Sequence, residues 1–283
     1  MHSLKRLASV LFSLIATAMH ATPQNPIFAM SYGFSDHSIA ERIEFLAEVG
    51  YNGIGGFVHN KKTLEEFRQT IQHPLVASGQ FRVYGVYMPL NLERDDALPI
   101  VQSVLELGHS QNAPIWLALQ NPNVTEEATV NFTQAVCDLA AKFDTEVILY
   151  PHDRHYILDV EDSITIIKKV ARPNLYTSLQ LPHELRAGNA HRLSEVVELA
   201  SPYSKLATVS GANLPGNYTP GSRDWSDVVQ DLATSQYDVE SWIQLLKDSN
   251  YSGPLGYNNW KIPEDTEEHH RKTIGLLNLY LSR

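Results

Sequence analysis

The sequence predicts an α/β protein built as a single (β/α)8 barrel, a TIM barrel, and three observations carry that prediction. Short β-rich runs alternate with longer amphipathic segments along the chain, eight such pairs can be counted, and no segment is left over for a second domain. An open doubly wound sheet is the runner-up. It would normally carry a glycine-rich phosphate loop after its first strand, and Ser31-Tyr32-Gly33-Phe34-Ser35 is not one.

The elements follow in order. Strand 1 is expected at 27–32, after a proline-broken spacer, and helix 1 at 39–49. The turn Gly50-Tyr51-Asn52-Gly53 then launches strand 2 at 53–58, with helix 2 around 64–71. Strand 3 at 82–88 leads to a helix at about 97–107, and strand 4 at 115–119 to a helix at 126–143. Strand 5 (146–150) precedes helix 160–170, and strand 6 (176–181) precedes a helix at about 192–199. Strand 7 (206–210), helix 239–248, strand 8 (254–257) and a last helix at about 267–281 complete the pattern. The longest loop, 211–238, holds Asn213, Pro215, Gly216, Tyr218, Pro220, Gly221, Arg223 and Trp225, and loops of that length commonly cover or bind.

At 283 residues, 43% hydrophobic and 19% charged, the chain can bury a full core in one unit. Its formal net charge of −10 would repel nucleic acid and anionic membranes, so neither is expected as a partner. Residues 1–21 read as a signal peptide: a basic start (His2, Lys5, Arg6), an apolar run over 7–18, and small residues at Ala16, Ala18 and Ala21. That run is shorter than the ~20 residues a membrane span needs. Residues 22–26 form a linker, 27–283 the barrel domain, and the expected location is secreted or periplasmic. The single cysteine, Cys137, has apolar neighbours at helical spacing and is expected to be a buried helix residue. Nothing in the sequence signals an oligomeric state.

In a barrel of this kind, side chains at the C-terminal ends of the strands surround one pocket. Those positions offer Tyr32, His59, Tyr87, Asn91 and Gln120 from the first four strands. Strand 5 ends in Tyr150-Pro151-His152-Asp153-Arg154-His155, and strand 6 in Gln180-Leu181-Pro182-His183-Glu184-Leu185-Arg186. Strand 7 offers Ser210 and Asn213, and strand 8 offers Asn258 and Trp260. Neutral hydrogen-bonding groups among aromatic rings suit a small-molecule carbohydrate, whose hydroxyls need donors and acceptors and whose C–H faces lie on rings. His152 and His183 are the groups able to exchange protons near neutral pH, with Glu184 as a second base or an orienting partner. Asp153, Arg154 and His155 are expected to be loop-surface or ion-pair residues.

At these residues the chain resembles the xylose isomerase-like barrel superfamily, the sugar phosphate isomerase/epimerase group, over nearly all of 27–281. The resemblance is carried by Ala47-Glu48-Val49-Gly50-Tyr51-Asn52-Gly53-Ile54 and Val147-Ile148-Leu149-Tyr150-Pro151-His152. It continues in Leu179-Gln180-Leu181-Pro182-His183-Glu184-Leu185 and in Leu245-Leu246-Lys247-Asp248-Ser249-Asn250-Tyr251-Ser252-Gly253-Pro254-Leu255. It implies isomerisation or epimerisation of a carbohydrate by proton transfer next to a carbonyl. Most members hold a divalent metal with Glu, Asp, His and Glu after strands 5 to 8. Tyr150, Gln180, Ser210 and Asn258 stand at those places here and carry no formal negative charge, so the expected chemistry uses no metal and no other cofactor.

The expected activity is thus a metal-independent proton transfer on a non-phosphorylated sugar or glycoside. One of His152 and His183 is the base and the other the acid, and export disfavours cytoplasmic sugar phosphates. A lyase acting on an oxidised glycoside needs the same first proton abstraction and stays open. So does a non-catalytic carbohydrate-binding barrel.

Overall fold

The computed structural model describes residues 25–30, 37–214, 216, 224–226, 228–262 and 267–283. The expected signal peptide at 1–21 lies outside the described residues. Eight parallel strands close into one barrel in chain order. They are β1 (Ile27–Met30), β2 (Gly53–Phe57), β3 (Arg82–Leu90), β4 (Ile115–Leu119), β5 (Val147–Leu149), β6 (Leu175–Gln180), β7 (Ser204–Val209) and β8 (Leu255–Tyr257). Closure is made by β1 against β8, where Ile27, Phe28 and Ala29 stand opposite Leu255, Gly256 and Tyr257.

The helices form where local chemistry favours them. Helix α1 (Ile39–Glu48) starts with a capping box between Ser38 and Glu41, and α2 (Lys61–Gln72) with one between Asn60 and Thr63. The four-residue α3 (Pro74–Ala77) begins on a proline, which suits a first turn. Helix α4 spans Ala97–Gly108; Thr125 caps α5 (Glu126–Ala141) and Asp159 caps α6 (Val160–Val170). Then come α7 (Leu181–Arg186), α8 (Leu193–Ala200), α9 (Val239–Asp248) and α10 (Glu267–Ser282). Cys137 is buried in α5 as expected, and burial pushes its thiol up to about 12, which keeps it protonated. No helix among the described residues is long and apolar enough to cross a membrane.

Two helices, α3 and α7, lie where loops were expected, and β5 stops one residue short of Tyr150. The second helix matters most. Pro182 occupies its first turn, where a missing N–H costs nothing, so the chain turns helical directly at the end of β6.

Two apolar layers hold the barrel. Between sheet and helices lies the larger one, which includes Ile43, Leu46, Val104, Val136, Val197 and Trp242. Inside the barrel a smaller layer groups Phe28, Met30, Tyr87, Trp116, Ala118, Ile148, Tyr150 and Leu206. Glycine makes room for these rings, since a Cβ on Gly256 would lie 2.3 Å from the Phe28 ring. A polar relay threads the same interior. Trp116 Nε1 and Gln180 Nε2 both donate to Ser178 Oγ, which donates to the carbonyl of Leu149. The loop after β7 is tied to the C-terminal helix by a buried relay: Tyr257 Oη lies 2.6 Å from His269 Nε2, and His269 Nδ1 lies 3.3 Å from Asp231.

Two glycines set opposite expectations. A Cβ on Gly53 would lie 2.1 Å from the backbone oxygen of Arg82, so Gly53→Ala should lower the unfolding free energy by about 3 kcal/mol. On Gly275, exposed in α10, a Cβ meets nothing within 4 Å, so Gly275→Ala should raise it by about 0.5–1 kcal/mol. Urea titration of both variants checks the pair.

Candidate active site at the C-terminal mouth of the barrel

The strands deliver their last residues to one mouth, where a cleft of about 300 Å³ opens. Tyr87, Gln120, Tyr150, His152, His183, Asn258 and Trp260, all expected there from the sequence, line it. Phe57, Pro89, Arg154, His155, Trp225, Val229 and Lys261 join them. The volume is at the lower end for small-molecule pockets and suits a ligand of one or two rings.

The floor is built from β5, the loop after it, and α7. Tyr150 directly follows β5 and is buried beneath Tyr87 and Trp116, with ring centroids 4.6 and 4.8 Å away. Its hydroxyl lies 3.0 Å from Nε2 of His183, which α7 carries into the mouth. The His183 ring is 4.3 Å from that of His152, and His155 stacks on the other side of His152 at 4.0 Å and 15°. Trp225, from the loop after β7, closes the side, 4.8 Å from His183 and 5.3 Å from His152. The three imidazoles therefore form one packed column.

Their protonation follows from that packing. The proton-bearing nitrogen of His152 is fixed, because its Nδ1 lies against the backbone oxygen of Asp153 and a carbonyl only accepts. Nε2 of the neutral ring is therefore its bare nitrogen. Burial, assisted by the charges of Arg154 and Arg186, holds His152 down to about 4. Burial and the neighbouring His152 hold His155 down to about 2, and burial holds His183 well below the usual imidazole range. Nδ1 of His183 is buried with no hydrogen-bond partner among the described residues. Burial, then the nearby Tyr87, raises the Tyr150 phenol well above its ordinary value, so it remains a donor.

A buried cation holds these loops together. The Arg186 guanidinium lies 3.4 Å from the Asp153 carboxylate, donates to the Asp224 backbone oxygen at 2.8 Å and covers the Trp225 ring at 4.3 Å. It joins α7 to the loops after β5 and β7.

Several sequence expectations are corrected. Glu184 does not reach the cleft: its carboxylate accepts from the backbone N–H of Val160 and from Asn189 Nδ2 at 2.7 Å, bracing the start of α6. Helix periodicity turns it away from its neighbour His183, and burial raises it to about 7. Gln180 is spent below the mouth, bonded to Ser178 and Thr208, and Ser210 donates to the backbone oxygen of Gly211. His59 packs on Phe57 with Nε2 against Asn60, and neither it nor Asn213 lines the cleft. Tyr32 lies outside the described residues. Conversely, Arg154 and His155, expected at the loop surface, line the cleft, while Asp153 is the buried partner of Arg186.

The four positions at which the resemblance would expect metal ligands do not fit a metal here. Tyr150 is bonded to His183, Gln180 and Ser210 are engaged internally, and Asn258 Oδ1 accepts the Trp260 N–H. None is a carboxylate or an imidazole, the donors a divalent ion needs. His152 and His155 stack face to face, His183 packs on His152 at a 40° tilt, and no group of three or more His, Cys, Asp or Glu among the described residues is arranged for a metal ion.

No family model and no curated protein matches the chain. Solved structures do. A 3-keto-D-glucoside 4-epimerase from E. coli is 14% identical with a TM-score of 0.68, over 90% of this chain and 100% of that one. A xylose isomerase domain containing protein from Salmonella typhimurium is 13% identical with a TM-score of 0.71, over 92% and 98%. A D-allulose 3-epimerase from Methylomonas sp. is 14% identical with a TM-score of 0.67, over 92% and 99%.

Two predictions follow from the buried charges and rings. Replacing Arg186 by Met strands Asp153 in the interior, so R186M should lose about 3–5 kcal/mol of stability, part of it recovered in D153N/R186M; urea unfolding of both reads this. The second concerns pH. The three imidazoles have folded values below 6.5, so the unfolded chain takes up their protons first; their contribution is complete above pH 6.5 and is lost as pH falls towards 4. Glu184 acts oppositely between about 4.5 and 7, but it is one group against three. The urea midpoint should therefore fall from pH 7 to pH 5, with a shallower slope in His155→Gln; a flat profile would refute the assignment. The architecture they act within is a closed (β/α)8 barrel, the fold this chain shares with these solved structures.

Proposed function

We propose that this protein is a sugar isomerase or epimerase that moves a proton on the carbon next to a carbonyl of a non-phosphorylated sugar or glycoside. The observation that carries the reading is the packed floor of the cleft, where His152 presents a bare Nε2 beside His183 and the Tyr150 hydroxyl. In the step proposed, Nε2 of His152 removes the C–H proton and the electron pair shifts onto the carbonyl oxygen. That oxygen takes a hydrogen bond from Tyr150, the donor backed by His183. Return of that proton to the neighbouring carbon, with the proton of the adjacent hydroxyl passing to the former carbonyl oxygen, gives the isomer; delivery of a proton to the opposite face of the same carbon by a second donor, with His152 then giving its own proton to solvent, gives the epimer. The rings of Trp225, Trp260 and Tyr87 suit the apolar faces of a sugar. The names of the similar structures, a keto-glucoside epimerase and an allulose epimerase, favour the same class of reaction. The basic start and apolar run of 1–21 support an activity outside the cytoplasm as part of this proposal.

A carbohydrate-binding barrel without turnover is the second reading, favoured because the four positions where the resemblance expects metal ligands carry neither a carboxylate nor an imidazole. Exchange in D2O separates the two. Incubation with a panel of aldoses, ketoses and keto-glycosides should replace one C–H by C–D in at least one substrate, followed by NMR. His152→Gln should slow that exchange by about 100-fold or more. Binding without exchange supports the second reading, and unchanged exchange in His152→Gln removes His152 from the reaction.

A further inference from the structure

The cleft has a charge opposite to that of the protein around it. The chain carries 32 acidic against 22 basic residues, yet no Asp or Glu lines the cleft among the described residues, and its charged lining residues are Arg154 and Lys261. Several long cations elsewhere are held in ion pairs, such as Arg94 with Asp96, Arg172 with Asp138 and Lys205 with Glu146. Neither Arg154 nor Lys261 has a carboxylate within ion-pair distance among the described residues. The acid whose charge is felt with Lys261 is Asp224, and that carboxylate is bonded to Ser226.

The backbone adds a second, independent observation. Six non-glycine residues among those described adopt the left-handed conformation. Asn112, Asp144, Ala171 and Asn250 do so where a helix ends, a common place for it. The other two are Arg154 (φ 66°) and Lys261 (φ 57°), both in loops at the cleft. A left-handed non-glycine residue costs on the order of 1–2 kcal/mol, and such residues concentrate where side chains are aimed at ligands. Arg154 lines the same cleft as His152 and His155, and its charge acts on both rings. Trp260, 40% exposed, also lines the cleft, with the Lys261 ammonium 6.0 Å from the centre of its ring.

We infer that the substrate is an acidic sugar, a uronic acid or its glycoside, whose carboxylate is met by Arg154 and Lys261 while its ring lies on the tryptophans. The inference rests on the carbohydrate reading above and narrows it. Guanidinium and ammonium groups in a cleft that excludes carboxylates select an anion, and the fork of Arg154 matches a carboxylate.

Calorimetric titration tests it with D-glucuronate, D-galacturonate, D-mannuronate and L-guluronate, each beside its neutral parent hexose, plus D-glucose 6-phosphate and glycolate. At least one uronate should bind at least tenfold more tightly than its parent. That ratio should drop at least fivefold in R154Q and in K261Q, and in the wild type as salt is raised to about 0.5 M. Equal binding of every uronate and its parent overturns the acidic-sugar assignment and leaves the carbohydrate reading standing. Absence of binding by every sugar overturns both. Tighter binding of the phosphate, or glycolate binding as tightly as any uronate, overturns the uronate class.

Discussion

The guanidinium of Arg186 is the interaction on which the site depends. It is wholly buried, and it simultaneously meets a carboxylate after β5, a backbone oxygen after β7 and the face of Trp225. A buried charge is tolerated only when its donors are met, so these partners are held as firmly as the charge is expensive to strand. Trp225 is thereby pressed onto the imidazoles, and the loop bearing His152 is fixed through Asp153. Segments far apart in the chain become one wall.

That wall keeps the imidazoles out of water, and their neutrality follows. A surface histidine is half protonated near pH 6.5; these three are held neutral by burial and by nearby cations. A neutral ring with a defined bare nitrogen is a base rather than an acid, which assigns the donor's role to Tyr150 in the proposed reaction. Arrival of an anion among the same cations would lessen the field that disfavours a protonated imidazole. Substrate charge and base strength would then be coupled through Arg154.

Some of the site was legible from residue order. Tyr150, His152, His183, Asn258 and Trp260 were found because a parallel barrel sends strand ends to one face, so position in the chain translates into position in space. Glu184 and Gln180 misled for a local reason. Beside His183, Glu184 reads as catalytic, but α7 starts at Leu181 and a helix turns adjacent side chains about 100° apart. Gln180, one residue earlier, still belongs to β6 and points into the barrel relay. A weak signal for α7 existed in Leu181-Pro182, a proline suited to a first helical turn. Arg154 and His155 carried none, and Trp225 only its place in the longest loop, because their approach to the cleft is made by contacts between loops.

The sequence by itself determined the barrel, its strand order and the face that bears the site, because alternation of apolar periods is local and parallel closure leaves few alternatives. Only the tertiary structure decided which polar side chains meet a ligand and which are consumed in holding the walls. That choice is made by burial and by partners distant in the chain, as with Arg186 and Asp224, and no local pattern encodes it.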